Sequence, residues 1–436
     1  MEKLLLESFI KDIIGRVDKG DIIATISESV PVSFEMDSLK SVESISRFGV
    51  GLRLFENGKV GNSFINSLDD KEELLKNAKA STELGDKIDF DLPSKGVYQD
   101  LPLYYEEVVN YPKEKLIETG EEIVKSLKSI DREAKVSVDI SKSHTTTLLA
   151  NTSGFYGLYR ETTFGISASM ILVEDGGGLL FVGDGDISSD TGIELERILK
   201  NIEWRYKNAR KKVGVKKGYF PVIFTPDALG LLLDAIEIAA NGKTLFKGIS
   251  VLANKQDEKI VDEKFSLIDD PLKKDGIASY PFDGEGIIPR RIPVIENGVF
   301  KNFIFDLATA KRMNRVSTGH AARNISSLPA PSFSNLIVPP GDVSLDQMIS
   351  SVSYGLLVHE FLGGGMSNLL AGDFSVNVEL GYLIENGNVK GRVKDAMISG
   401  NVYNILNSII AVEDRFHKKG SLYAPHVLFE RISVAS

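Results

Sequence analysis

Five histidines, at positions 144, 320, 359, 417 and 426, are the only imidazoles in this 436-residue chain, and no cysteine accompanies them. Thiolate metal ligands, disulfides and a cysteine nucleophile are therefore excluded. No two of the histidines stand at the spacing that places both on one helix face around a metal. His359-Glu360 begins like a zinc-binding metalloprotease motif, but the fourth residue on is Gly363, so the second imidazole is missing and His359 reads as a strand-end residue in a turn. His320, in Ser317-Thr318-Gly319-His320 beside Arg323, reads either as a satisfied polar loop residue or as a contact to a ligand carboxylate or carbonyl.

Other patterns fail on single residues. Asn241-Gly242-Lys243-Thr244 ends like a phosphate loop, yet Glu237 stands where that loop needs its first glycine, and a helix C-cap at Gly242 accounts for the same residues. Asp184, Asp186, Ser188 and Asp190 alternate as in a calcium loop, but Ser189 replaces the turn glycine and Leu195 the bidentate glutamate. These residues are expected to form a turn feeding a helix capped by Thr191 and Glu194. Gly365-Met366-Ser367-Asn368-Leu369 and Gly165-Ile166-Ser167-Ala168-Ser169 both lack the closing glycine of a nucleophile elbow.

The elements that would position such residues follow from periodicity. Helical spacing covers residues 4–17, 69–80, 113–129, 191–211 and 226–240, with shorter runs at 307–313 and 345–351, while strand patterns cover 22–34, 49–55 and 135–173, the last split at Asn151-Thr152-Ser153-Gly154. Glu56-Asn57-Gly58, Glu296-Asn297-Gly298 and Glu385-Asn386-Gly387 predict type I′ hairpin turns, because both central residues of that turn need positive φ. The expected fold is α+β: an N-terminal α/β domain with a mixed sheet over residues 1–215, subdivided near 93–112, and a β-rich domain over 216–436. Within the latter, Gly363-Gly364-Gly365 and Gly372-Asp373 frame turns between apolar strand-like runs such as Phe374, Val376, Val378 and Leu380.

A hydrophobic content of 42% is enough for sizeable cores, and a net charge of −10 argues against a phosphate-tracking surface. The cations Arg210-Lys211-Lys212 and Lys216-Lys217 read as a solvated helix end. The first residues form an amphipathic helix rather than a signal peptide, and the apolar window 229–240 is interrupted by Asp234 and Glu237. A cytoplasmic protein with no direct nucleic-acid or membrane contact is expected.

Several segments together resemble the TldD/PmbA family (peptidase U62-like) over nearly the whole length. They are Gly49-Val50-Gly51-Leu52-Arg53 with its Asn-Gly turn, Asn151-Thr152-Ser153-Gly154 leading to Tyr159-Arg160, Tyr280-Pro281-Phe282-Asp283-Gly284-Glu285-Gly286, Ser317 to His320, and Gly355 to Ser375. The resemblance is to the PmbA (TldE) branch. In the family, TldD-like subunits look like zinc proteases with a His-Glu-x-x-x-His helix and a later cysteine. By that resemblance Asp234 and Ala239 fall at the two histidine positions and Ala235 at the catalytic glutamate, so this chain is expected to bind no zinc there and to lack catalytic residues of its own.

The resemblance implies a non-catalytic subunit that pairs with a zinc-bearing TldD-like partner, or forms a homodimer when isolated, and acts on extended, unfolded peptides. Candidate peptide contacts are His320, Arg323, Gly363, Gly364, Gly365, Gly372 and Asp373, with a strand edge pairing to the peptide backbone. Two alternatives are a stand-alone metal-dependent hydrolase built from His359, Glu360, His320 and Asp373, and a binding protein acting on DNA gyrase or its regulators.

Overall fold

In a computed structural model, residues 2–94, 96–175, 178–362 and 368–436 are described. The chain opens with helix α1 (Glu2–Ile14), then β1 (Gly20–Glu35), β2 (Ser38–Val42), β3 (Ile45–Glu56) and β4 (Lys59–Ile65), and helices α2 (Lys71–Ser81) and α3 (Lys113–Ile130). Strands β5 (Lys135–Asn151), β6 (Tyr156–Val173) and β7 (Leu179–Ser188) complete one seven-stranded sheet of order β4-β3-β1-β5-β6-β7, with β2 on β1. Because β1 pairs with β3 on one side and β5 on the other, residues before and after 93–112 share a single sheet. That sheet was expected to be mixed and is instead antiparallel throughout, since each strand follows its neighbour by a hairpin or returns beside it from the opposite end.

The Asn-Gly turns form as their sequence demands: Asn57, Gly58, Asn297, Gly298, Asn386 and Gly387 all have φ between 48° and 79°. Helix α4 (Leu195–Ala209) starts four residues later than its spacing suggests. Glu194 is its N-cap without a side-chain bond, because Thr191 donates instead to Glu107. The aspartates expected in a turn lie on β7 or directly after it, where the alternation of Asp184 and Asp186 is simply the two-residue period of a strand.

In the remainder of the chain, β8 (Gly218–Phe224) leads into helix α5 (Pro226–Ala239), and a short helix, α6 (Leu345–Ser351), precedes β9 (Tyr354–Leu362). Then follow β10 (Asp373–Glu385), β11 (Asn388–Val393), β12 (Met397–Asn401), β13 (Ile409–Val412), β14 (His417–Lys419), β15 (Leu422–Ala424) and β16 (Val427–Ala435). Strands β9, β8, β16, β12 and β10 pair in that order, and β10 pairs back onto β9, closing a ring. Ring closure uses both sides of β9 and pairs β10 with β9, β11 and β12. Gly242 does not cap α5. Ala240 does, and Gly242 opens a further short helix whose N-cap Asn241 accepts from Lys243 N.

The two regions are fastened by buried charge. Asp21 on β1 stands directly opposite Arg53 on β3, and the two form an ion pair. Arg53 also reaches Glu285 at 2.6 Å, and Arg323 reaches Asp21 at 2.5 Å, with all four side chains at most 3% exposed. Gly49 and Gly51 admit the loop that carries Arg323: a Cβ on Gly51 would lie 2.1 Å from the Ile325 carbonyl oxygen. Burial alone would raise the Asp21 carboxyl, but the Arg323 and Arg53 guanidiniums outweigh it and hold it below the usual carboxylate range.

Removing one member of a buried ionic set strands its partners, so Arg53→Leu is expected to cost about 3–5 kcal/mol in urea unfolding. A carboxylate depressed in the folded state contributes stability above its unfolded pKa of about 4 and loses it as pH falls through the folded value. The stability gap between the native chain and Asp21→Asn should therefore be full at pH 7 and shrink progressively below about pH 4.

Candidate functional site

Helix α5 carries Asp234, Ala235 and Ala239, the positions that the resemblance sets against a zinc helix. Thr225 caps it by accepting from Ala228 N, and Leu229, Leu232, Leu233, Ala235, Ile236 and Ala239 are all buried in one apolar core. Ala235 and Ala239 thus offer methyl groups packed against neighbours, while Asp234 is exposed and supplies one carboxylate. One carboxylate and two methyl groups do not make the three-donor set that a catalytic zinc requires, so these residues do not fit the metal. Glu237, one turn further along, is pushed up to about 7 by burial, with Asp234 and Asp269 adding repulsion.

A groove lies where α4, the start of α5, β9 and the β14–β15 turn meet the face of β5–β7. Its cavity is about 780 Å³ and its floor is made of small residues, including Ser141, Gly165, Ser167 and Gly183. At one end Arg205, only 7% exposed in its side chain, donates to the Gly183 carbonyl at 2.6 Å and lies 3.4 Å from Asp227 and 3.9 Å from Glu360. Lys419 forms an ion pair with Asp184 and lies 3.6 Å from Asp227, while Arg197 bonds Asp186 at 2.7 Å. Burial pushes the Glu360 carboxyl up, against the pull of Arg205. Such a floor of small side chains beside alternating fixed charges lets an extended backbone approach closely and offers both donors and acceptors to it.

Behind Arg205 a second cavity of about 310 Å³ is lined by Trp204, His359, His417 and His426 among others. His359 lies within β9 rather than in a turn, packed against the rings of Trp204 and Tyr382, with neither ring nitrogen hydrogen-bonded. Burial, reinforced by Arg205, holds its pKa well below the ordinary histidine value, so the ring is neutral. Among the described residues one cluster, Glu413, His417 and His426, brings three potential metal donors within 4.8 Å of one another.

The residues singled out from sequence are scattered. His320 is fully buried, with Nδ1 2.9 Å from the Thr318 carbonyl and Nε2 2.6 Å from Asp269, and Arg323 belongs to the Asp21 network. Gly372 makes a turn at φ 81°, and the exposed Asp373 accepts from Asn401 at 2.9 Å. Gly363, Gly364 and Gly365 lie outside the described residues. His359, Glu360, His320 and Asp373 do not assemble: the first two face Arg205 and Trp204, His320 faces Asp269, and Asp373 pairs with Asn401. Arg205, Asp227 and Lys419 were not legible as site residues, because they are brought together only by the packing of α4, α5 and β14. Glu413 and His417 do stand four apart, a usable signal.

Three family models match this chain: PmbA/TldA metallopeptidase domain 1 over residues 20–83, the central domain over 102–212 and the C-terminal domain over 217–436. A metalloprotease PmbA homolog of Haemophilus influenzae is 23% identical, covering 95% of this chain and 92% of that protein. A zinc metalloprotease TldD homolog of Saccharolobus solfataricus is 28% identical over 51% of this chain and 50% of its own. The crystal structure of TldE from Thermococcus kodakarensis superimposes with a TM-score of 0.91 at 25% identity, covering 99% of this chain and 100% of that one. A candidate modulator of DNA gyrase from Thermotoga maritima shares the fold at a TM-score of 0.90, 21% identity and coverage of 99% and 100%.

The raised Glu237 has a measurable consequence. A carboxyl whose folded pKa is raised costs nothing extra below its unfolded pKa of about 4.3 and loses stability as pH rises toward its folded value near 7. Glu237→Gln is expected to leave thermal stability unchanged at pH 4 and to raise it by roughly 1–3 kcal/mol at pH 8, read from melting curves at both values.

Proposed function

The chain belongs to the PmbA/TldD metallopeptidase family, and on that footing we propose that it is a PmbA-type subunit which does not itself hydrolyse peptides. It pairs with a TldD-like subunit in a cytoplasmic protease acting on unfolded peptides. The observation that carries this reading is the state of α5, where Ala235 and Ala239 are buried as core and Asp234 stands alone. A water molecule is activated for peptide hydrolysis by a metal with an open coordination site, and Ala235 and Ala239 supply no donor to hold one on α5. The partner supplies the zinc and its chemistry.

What this chain contributes is binding. The groove floored by β5–β7 fits an extended peptide, and Arg205, Lys419, Asp227 and Glu360 give it fixed donors and acceptors for backbone groups or a peptide terminus. β7 ends the seven-stranded sheet, where among the described residues its strand partner is β6 alone, and its Gly183 carbonyl accepts from Arg205 at the end of the groove. Binding through the backbone tolerates many side chains, which suits a protease of broad substrate range.

Reconstitution tests the reading. This chain alone should cleave no unfolded peptide, a TldD-like protein alone little, and their mixture at least about tenfold more than either, with Lys419→Glu in this chain lowering the gain at low peptide concentration. Peptide hydrolysis by the isolated chain would overturn it. Recovery of a gyrase subunit in place of a TldD-like protein from cell extract would favour the gyrase-binding alternative.

A further inference from the structure

We propose that Glu413, His417 and His426 form a binding site for a zinc-type divalent cation, separate from α5, at the wall of the cavity that His359 lines. The three residues come from different parts of the C-terminal strands. Glu413 follows β13, His417 opens β14 and His426 immediately precedes β16, so only the folded chain assembles them. Glu413 Oε2 lies 2.9 Å from His417 Nε2 and 2.6 Å from His426 Nδ1, and it also accepts from the His426 backbone N–H at 3.0 Å. The carboxylate is held in place by that backbone bond and is 2% exposed, whereas His417 is 35% exposed and gives a path for entry.

Two imidazoles and one carboxylate are a donor set suited to zinc, and bonds of about 2.0–2.2 Å set tetrahedral donors roughly 3.3–3.6 Å apart. The three facing atoms lie within 4.8 Å of one another, and a cation between them needs the two short contacts to Glu413, 2.9 and 2.6 Å, to open by up to about an ångström and the two imidazole nitrogens to settle at the same spacing. Coordination uses the lone pair of each facing nitrogen. The proton it carries toward Glu413 moves to the far ring nitrogen or leaves to solvent, and the cation takes its place.

A second observation points to a ligand in the same space. His359 is 8% exposed, lines the 310 Å³ cavity together with His417 and His426, and has both ring nitrogens without a partner. Buried polar atoms are normally satisfied, and a metal-bound water in this cavity would satisfy one of these. Neither Asp234 nor the remainder of α5 is used, and the inference does not rest on pairing with a TldD-like subunit.

The test is a titration of the metal-stripped full-length chain with Zn²⁺ by calorimetry, and with Co²⁺ followed in the visible range. One equivalent should bind with a Kd below about 10 μM, and Co²⁺ should give the absorption of a tetrahedral nitrogen–oxygen site. Mg²⁺ at the same concentration should not compete, as it prefers all-oxygen octahedra. His417→Ala, a change at a half-exposed position, should keep the native circular dichroism and weaken binding more than about tenfold, and His417→Ala with His426→Ala more than about a hundredfold. Absence of stoichiometric Zn²⁺ binding, or an affinity unchanged in the folded His417→Ala variant, would overturn the proposal. Peptide cleavage enters neither readout, so failure here and failure of the proposed pairing are distinct results.

Discussion

Two guanidiniums and two carboxylates buried between β1, β3 and the loops of the C-terminal region hold the molecule's parts in register. Ions removed from water are costly unless each finds its counter-charge, and here the register of β1 against β3 supplies one pair while the folded C-terminal loops supply the other. The network can be complete only when both regions are folded and docked. Its energetic value lies less in net stability than in the penalty for any arrangement that leaves Arg53 or Asp21 without its partners.

This explains why many of the family-like segments turn out to be fasteners. The Gly49-Val50-Gly51 stretch makes room for Ile325 on the sheet, Phe282 stacks edge-on against Phe155, Tyr98 and Tyr159, and Asp283 accepts backbone N–H groups from Glu285, Ile287 and Ala321. Glu285 closes the set on Arg53. Arg323, which looks like a ligand contact in a linear reading, gives one guanidinium nitrogen to Asp21 in this docking. The groove then forms beside the docked surfaces, where Arg205, Asp227 and Lys419 converge from three elements.

The two candidate metal positions illustrate opposite uses of burial. On α5 the apolar core buries Ala235 and Ala239. At the β13–β16 strands, burial of Glu413 concentrates hydrogen bonding onto one carboxylate, which is held well below its ordinary range by His417 and His426 in spite of desolvation. A buried acid facing two imidazoles in a cavity is a poor filler for a core and a reasonable donor set for a cation.

Local signals were legible wherever a short-range physical rule governs. Asn-Gly pairs dictated type I′ turns, apolar spacing dictated α1, α3, α5 and α6, and the alternation in β1 and β10 dictated strands, because φ preferences and one-sided burial act over a few residues. The absence of cysteine and of paired histidines on α5 was equally plain from the residues themselves. What tertiary structure alone decided was every relation between distant segments: that Asp184 faces Lys419 from a strand and not a turn, that Arg323 serves Asp21, that β9 and β10 close a ring and expose no edge between them, and that His417 and His426 meet at Glu413. Those outcomes depend on strand register and docking, where the free energy comes from contacts between residues far apart in the chain, and apart from the four-residue spacing of Glu413 and His417 no local pattern records them.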